Sequence, residues 1–342
     1  MSAQLKRAGS AICHATQKRF ITKSFPLLRM AICCGLFFSL APTKLAHAQT
    51  ETGCTAGAWV EVPGGGITNG AGPAAVEFND NLYLFVTGQA NDVFVNVFHP
   101  ASGWSGWSVV PGGWMQSSSR LAATVFHDQL WLFAIGSGDI VSFNILGASG
   151  WSGWIPAPIQ TGTSGLAATT AWNFLFGEEE LNLFVRGFGG HIFTSVLRGN
   201  SFVTINTEVP GGGLTTHGPA ATTLGDLFVY IRGYDGGVYE NEKDMLTGNW
   251  SGWHQVSGGA LATADPGAAG SHGGMMLSIR GGASHIWQNL LPPGPGVWSE
   301  VPGNGRAAAS AGPAVIVYHG LFLLFVSGPD DHILCSVATA GG

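Results

Sequence analysis

Gly103-Trp104-Ser105-Gly106-Trp107 returns as Gly150-Trp151-Ser152-Gly153-Trp154 and again as Asn249-Trp250-Ser251-Gly252-Trp253. Aligning the chain on the second Trp gives six anchors: Trp59, Trp107, Trp154, the degenerate Asn206, Trp253 and Trp298. They stand about 45–52 residues apart. The segment after each anchor also repeats. Val62-Pro63-Gly64-Gly65-Gly66 and its copy at 209–213 are turn chemistry, because Pro fixes one dihedral and Gly permits positive φ. Gly72-Pro73-Ala74-Ala75 and its copy at 218–221 come next, with side chains small enough for backbones to approach closely. A strongly apolar strand succeeds them at 82–86, 130–134, 181–185, 227–231 and 321–326. Then comes a Gly-rich turn, opened in three units by Arg186, Arg232 and Arg280. A third strand alternates in period two at 93–96, 192–195, 238–241 and 286–289, and the Trp segment is the fourth. No window shows sustained helical periodicity with caps.

Four short antiparallel strands per repeat is the signature of a propeller blade. One blade cannot bury both faces of its sheet, so neighbours must stack and the ring must close. The reading is all-β: a six-bladed propeller at roughly 49 residues per blade over 49–342, with seven blades the less favoured count. The repeat begins out of phase. Residues 53–63 match a fourth strand and 332–337 a third, so the N-terminal segment should complete the last blade. Cys335 then falls at the register of Val95, and Cys54 beside the start of the neighbouring strand. A Cys54–Cys335 disulfide would staple the ring where the chain ends meet, and it is favoured over two buried thiols.

The remaining cysteines, Cys13, Cys33 and Cys34, lie in a different kind of segment. Residues 1–48 hold seven bases (Lys6, Arg7, Lys18, Arg19, Lys23, Arg29, Lys44) and no acid. An apolar run at 31–41 precedes Ala46-His47-Ala48. That is the layout of a secretory signal peptide, with an organelle transit peptide as the alternative. The run is too short for a transmembrane helix. Secretion or export to a periplasm is expected, where a disulfide persists. All 20 Asp+Glu then lie in the body, which carries a formal net charge of about −13. Nucleic acid and anionic membranes are poor partners for it, and membrane insertion is not expected. With 10% charged and 45% hydrophobic residues the chain is not a disordered polyelectrolyte.

Trp-Ser-Gly-Trp-x-x-Val-Pro-Gly-Gly-Gly, with Gly-Pro-Ala-Ala and Leu-Tyr-Leu-Phe-Val after it, resembles the Photorhabdus-type (PLL-like) β-propeller lectin family over essentially all of 54–342. The resemblance implies a secreted bacterial protein that binds fucose or O-methylated sugars in pockets between blades, needs no metal or cofactor and catalyses nothing. Described members have seven blades; the six counted here match the fungal fucose-lectin propellers, and blade number sets the angle between pocket walls.

A sugar presents an apolar C–H face and a ring of hydroxyls, so its site needs an aromatic plate and fixed hydrogen-bond groups. The candidate plates are the pairs Trp104/Trp107, Trp151/Trp154 and Trp250/Trp253, with Phe94, Phe193, Tyr239 and Trp287 on the third strand. The polar candidates are Asn96, Asn241 and Asn289 and the turn arginines Arg186, Arg232 and Arg280. Packing between blades competes for every Trp. In a regular strand the two Trp of a pair face opposite ways, one to pack and one to line a pocket. The repeats are uneven: Arg gives way to Thr87, Ile135 and Ser327, the second unit has Ser119-Arg120-Leu121 where Gly-Pro belongs, and the third lacks its Trp pair. Fewer than six pockets are expected, centred on blades one, four and five. Glycans or glycoconjugates are the expected partners, and homo-oligomerisation stays open. A propeller glycoside hydrolase or lyase, and a protein-binding propeller, are the alternatives. The sequence offers no Ser-x-Asp-x-Gly-x-Thr-Trp box, no His-Glu-x-x-His and no Gly-x-Ser-x-Gly.

Overall fold

The repeated apolar stretches form the second strand of each blade, and in Gln129–Ile135 every residue after the first is buried. Neighbouring blades cover both faces of this strand, so its sequence is a continuous apolar run. The outer strands lie at the rim and are exposed, as along Ser201–Glu208. The computed structural model describes residues 52–112, 117, 120–160, 165–271, 273–291, 296–309 and 312–338. The leader read at 1–48 lies outside them.

Six antiparallel sheets form. Blade 1 runs Ala74–Phe78, Asn81–Thr87, Val93–His99 and an outer strand in two pieces, Gly103–Trp104 and Ser108–Val109. Blades 2 to 5 occupy 122–160, 166–208, 220–255 and 267–300. Blade 6 has Ala314–Tyr318, Leu321–Ser327 and Ile333–Val337, and its outer place is taken by Val60–Glu61. Each inner strand packs on the next, and that of blade 1 packs on that of blade 6, which closes the ring. Val60 pairs with Cys335, and Cys54 is disulfide-bonded to Cys335 with 5.4 Å between Cα atoms. Cys335 faces Phe325 as Val95 faces Phe85, the register read from the repeat.

The Trp-Ser-Gly-Trp stretch is a break in the outer strand. Ser105 N–H donates to Val97 O at 2.8 Å, its Oγ accepts from Val97 N–H at 3.0 Å, and Gly106 adopts φ +81°. The break corrects the expectation that paired Trp face opposite ways. Both indoles of each pair turn into one seam: Trp104 and Trp107 between blades 6 and 1, Trp151 and Trp154 between blades 1 and 2, Trp250 and Trp253 between blades 3 and 4.

The axis explains the irregular second unit. Gly72, Arg120, Gly165, Gly218, Asp265 and Gly312 occupy the same position in successive blades. Glycine is needed at four of them, since a Cβ on Gly72 would strike Gly312 O and one on Gly312 would strike Asp265 O. The two side chains that do fit stand three blades apart and carry opposite charge. Arg120 donates to Pro266 O at 2.6 Å and Pro313 O at 3.0 Å, across the axis. Asp265 Oδ1 accepts from Gly218 N–H at 2.8 Å. Burial raises the Asp265 carboxyl and lowers the Arg120 guanidinium, and each charge opposes the shift of the other.

Candidate functional site

Arg186, Arg232 and Arg280 each end the second strand of blades 3, 4 and 5. Each donates its Nε–H forward to the connector that leads to the next blade: to Thr215 O at 2.9 Å, Ala262 O at 2.6 Å and Ala307 O at 3.3 Å. Two also reach back to the preceding connector, Arg232 Nη1 to Thr216 Oγ1 at 3.4 Å and Arg280 Nη1 to Thr263 Oγ1 at 2.6 Å. Arg280 Nη2 adds Ser284 Oγ at 2.6 Å. Three consecutive seams, 3–4, 4–5 and 5–6, therefore hold a fixed guanidinium fork, already oriented for oxygen acceptors. Burial lowers the pKa of the His217 imidazole, whose Nδ1 lies 3.4 Å from Arg232 Nη1 and 2.8 Å from Thr216 Oγ1.

An indole lies close by on the same connector. A Cβ on Gly213 would run into the ring of Trp253, and one on Gly305 into Trp59. At the middle seam Trp298 rests on Gly258 and donates its Nε1–H to Ser257 O at 3.0 Å. Gly213 and Gly305 stand two residues before the carbonyls that hold Arg186 and Arg280. Each connector thus carries an arginine from the blade before it and the second Trp of the blade after it, or that of the N-terminal strand. These rings are half-buried, and the N–H groups of Trp59, Trp107 and Trp253 are covered and unpaired, so what they expose is carbon. Trp154, at the seam of blades 1 and 2, is half-buried too. The first Trp of each pair packs edge-on against a Phe: Trp104 on Phe98, Trp151 on Phe85, Trp250 on Phe184.

The asparagines lie elsewhere. Asn96, Asn241 and Asn289 are fully buried, which removes them from any solvent-facing cleft. Asn96 and Asn241 donate Nδ2–H to Pro63 O and Pro210 O, both at 2.8 Å, and accept from Ser105 and Ser251 Oγ–H. They are latches between the third strand, the broken outer strand and the incoming connector, and Asn144 does the same in blade 2. Asn289 belongs to the unit without the Ser of that motif, and neither its Oδ1 nor its Nδ2 has a partner. The two cases should separate on mutation. Asn96→Leu leaves the Pro63 carbonyl without its donor and should cost about 1–3 kcal/mol, whereas Asn289→Leu should be neutral or stabilising by about 1 kcal/mol. Urea unfolding of the two variants beside wild type checks this.

The third-strand aromatics mark the turn. Phe94, Phe193, Tyr239 and Trp287 lie against Gly88, Gly187, Gly233 and Gly281, the glycine next to the arginine position. Tyr239 O–H donates to Asp235 Oδ2 at 2.9 Å, and that bond, with Gly237 N–H, holds the Asp235 carboxyl below its ordinary range. Further groups surround the arginine turns. Phe188, Tyr234 and Leu261 are largely exposed around the arginine turns, and the Tyr234 hydroxyl reaches Gly190 of the preceding blade. His191–Glu208 (2.8 Å), His285–Glu300 (2.5 Å) and His332–Glu61 (2.9 Å) repeat one pair in three blades. The shared register of the three histidines is visible in the sequence; their carboxylates lie in outer strands whose pairing register the repeat does not reveal. Among the described residues, one trio could hold a metal ion, Glu77, Asp80 and His319, on the opposite face from the arginines.

No family model matches the chain, and no curated protein matches it. Solved structures do. The SapL1 lectin in complex with α-methyl fucoside superposes with a TM-score of 0.59 at 16% identity, over 80% of this chain and 95% of that one. The BP39L lectin of Burkholderia pseudomallei gives 0.63 at 16% identity, over 84% and 88%. The Aleuria aurantia lectin bound to Fucα1-6GlcNAc gives 0.58 at 13% identity, over 80% and 96%. In fold, this chain is similar to the six-bladed propeller lectins.

Proposed function

We propose that the chain is a secreted or periplasmic, non-catalytic lectin that binds neutral sugars, fucose or O-methylated sugars foremost, at the three arginine-bearing seams. The observation that carries the reading is the coincidence, three times over, of a guanidinium anchored on the connector to the next blade with a partly exposed indole packed on that same connector. The fork supplies donors for vicinal hydroxyls and the ring carbon supplies a plate for the C–H face. The proteins of similar fold include lectins solved with α-methyl fucoside and with Fucα1-6GlcNAc, which supports fucose as the first sugar to try. The sequence resemblance to the Photorhabdus-type lectins supports the O-methylated sugars. The Cys54–Cys335 bond supports an oxidising compartment. Single seams of modest affinity would gain from acting together on one glycan surface. A glycan array probed with the disulfide-bonded chain should light up fucosylated or O-methylated glycans, with no release of chromophore from nitrophenyl fucosides. Turnover abolished by one carboxylate change would identify a glycosidase instead, and a blank array would remove the lectin reading.

A further inference from the structure

At the end of blade 3 away from Arg186, the hairpin between Leu166–Asn173 and Glu178–Arg186 carries Trp172, Phe174, Leu175 and Phe176, each more than half exposed. The neighbouring loop of blade 4 adds Leu246, half exposed. The two loops touch: Phe174 N–H donates to Met245 O at 3.1 Å, and a Cβ on Gly248 would lie 3.3 Å from Leu175 Cδ1. The corresponding turns of blades 1, 2 and 6 are polar (Asn79-Asp80, His127-Asp128, His319-Gly320). At 150–250 Å² per aromatic side chain, half exposure of this group amounts to roughly 400–500 Å². That is the upper range for a monomer and about half of one partner's share of a standard interface.

Beside the tip, the seam of blades 2 and 3 opens into a groove of about 470 Å³, lined by Val125, His127, Asp128, Trp172 and Glu179 among others. Knob and groove therefore lie side by side on one surface. We propose that this face is an isologous interface between two copies of the chain, the 174–176 tip of each filling the groove of the other. A two-fold rotation brings adjacent knob and hole opposite their counterparts at once. Arg198, 3.7 Å over the Phe176 ring, is ion-paired to Glu178 at 3.1 Å and to Glu180 of its own blade, so its charge is met within the chain and the match of tip to groove is one of apolar surface. Glu178, Glu179 and Glu180 beside the tip, on a strongly acidic body, oppose an anionic bilayer as the occupant. In such a dimer both sets of arginine seams stay uncovered, on the outward faces. The inference does not depend on what those seams bind.

Sedimentation velocity of the disulfide-bonded chain at about 20 µM should show a dimer. Phe174→Ser combined with Phe176→Ser should weaken association at least tenfold while the melting temperature holds. Leu246→Ser, one loop away, should weaken it too and serves if the double variant misfolds. Mixing chains bearing Leu175→Cys with chains bearing Asp128→Cys should give a cross-linked dimer under mild oxidation, which neither gives alone. A wild-type chain that stays monomeric at about 100 µM, a dimer untouched by the serine changes, or absent cross-linking would overturn the proposal. So would a monomer that instead pellets with phosphatidylcholine vesicles.

Discussion

Replacing both Cys54 and Cys335 by alanine is expected to lower the melting temperature by roughly 10 °C. The bond closes a loop of sequence separation 281. On the chain-entropy view such a loop restricts the unfolded chain by about 5 kcal/mol, and a chain of this size loses about 2–4 °C per kcal/mol. The native side adds a local reason. The outer strand of blade 6 is only Val60–Glu61, extended by Val62 N–H to Ile333 O at 2.8 Å. Without the bond, the N-terminal segment is held in blade 6 by this short pairing, by the bridges Ala56–Val337 and Ile67–His332 and by the packing of Trp59 on Gly305, beside the packing of blade 1 on blade 6. Calorimetry of the double variant measures the loss, and hydrogen exchange should show the 314–337 strands exposed first. An unchanged transition would mean that blade packing alone closes the ring.

Asp265→Ala is expected to cost about 3–5 kcal/mol, because it leaves the Arg120 charge uncompensated inside the axial channel. It also frees Gly218 N–H, whose acceptor is Asp265 Oδ1. Arg120→Met alone should cost a similar amount by stranding the carboxylate. Arg120→Met with Asp265→Ala should cost clearly less than the two single changes together, since the pair is already weakened by desolvation on both sides. Denaturant melts of the four proteins give the coupling energy directly. Strict additivity would show that the two side chains act independently through their backbone partners.

Much of the ring was legible in the sequence because repetition is a strong signal. Six anchors, the apolar second strand and the offset phase fix blade count, closure and the position of Cys335 at the register of Val95. The site was only partly legible. Arg186, Arg232 and Arg280 stand out by type and register, but the indoles packed on their connectors come from the next blade, and two of them, Trp298 and Trp59, stand outside the Trp pairs and were not among the candidates. The expected centring on blades one, four and five comes from setting aside the irregular second and third units, whereas the arginines stand at the seams of blades 3–4, 4–5 and 5–6. Asn96 and Asn241 are repeated and polar for a structural reason that needs coordinates to see: the Pro carbonyl they hold is more than thirty residues away. Arg120 looked like a lapse in the repeat because its counterpart, Asp265, lies on the opposite side of the ring.

The seams are tested most directly by isothermal titration of the disulfide-bonded chain with α-methyl-L-fucoside, alongside Arg232→Ala. The expected result is saturable heat with a stoichiometry near three per chain, falling to about two in the variant while its melting curve stays close to wild type. No saturable heat, or a stoichiometry that the loss of Arg232 leaves unchanged, would contradict sugar binding at these arginines.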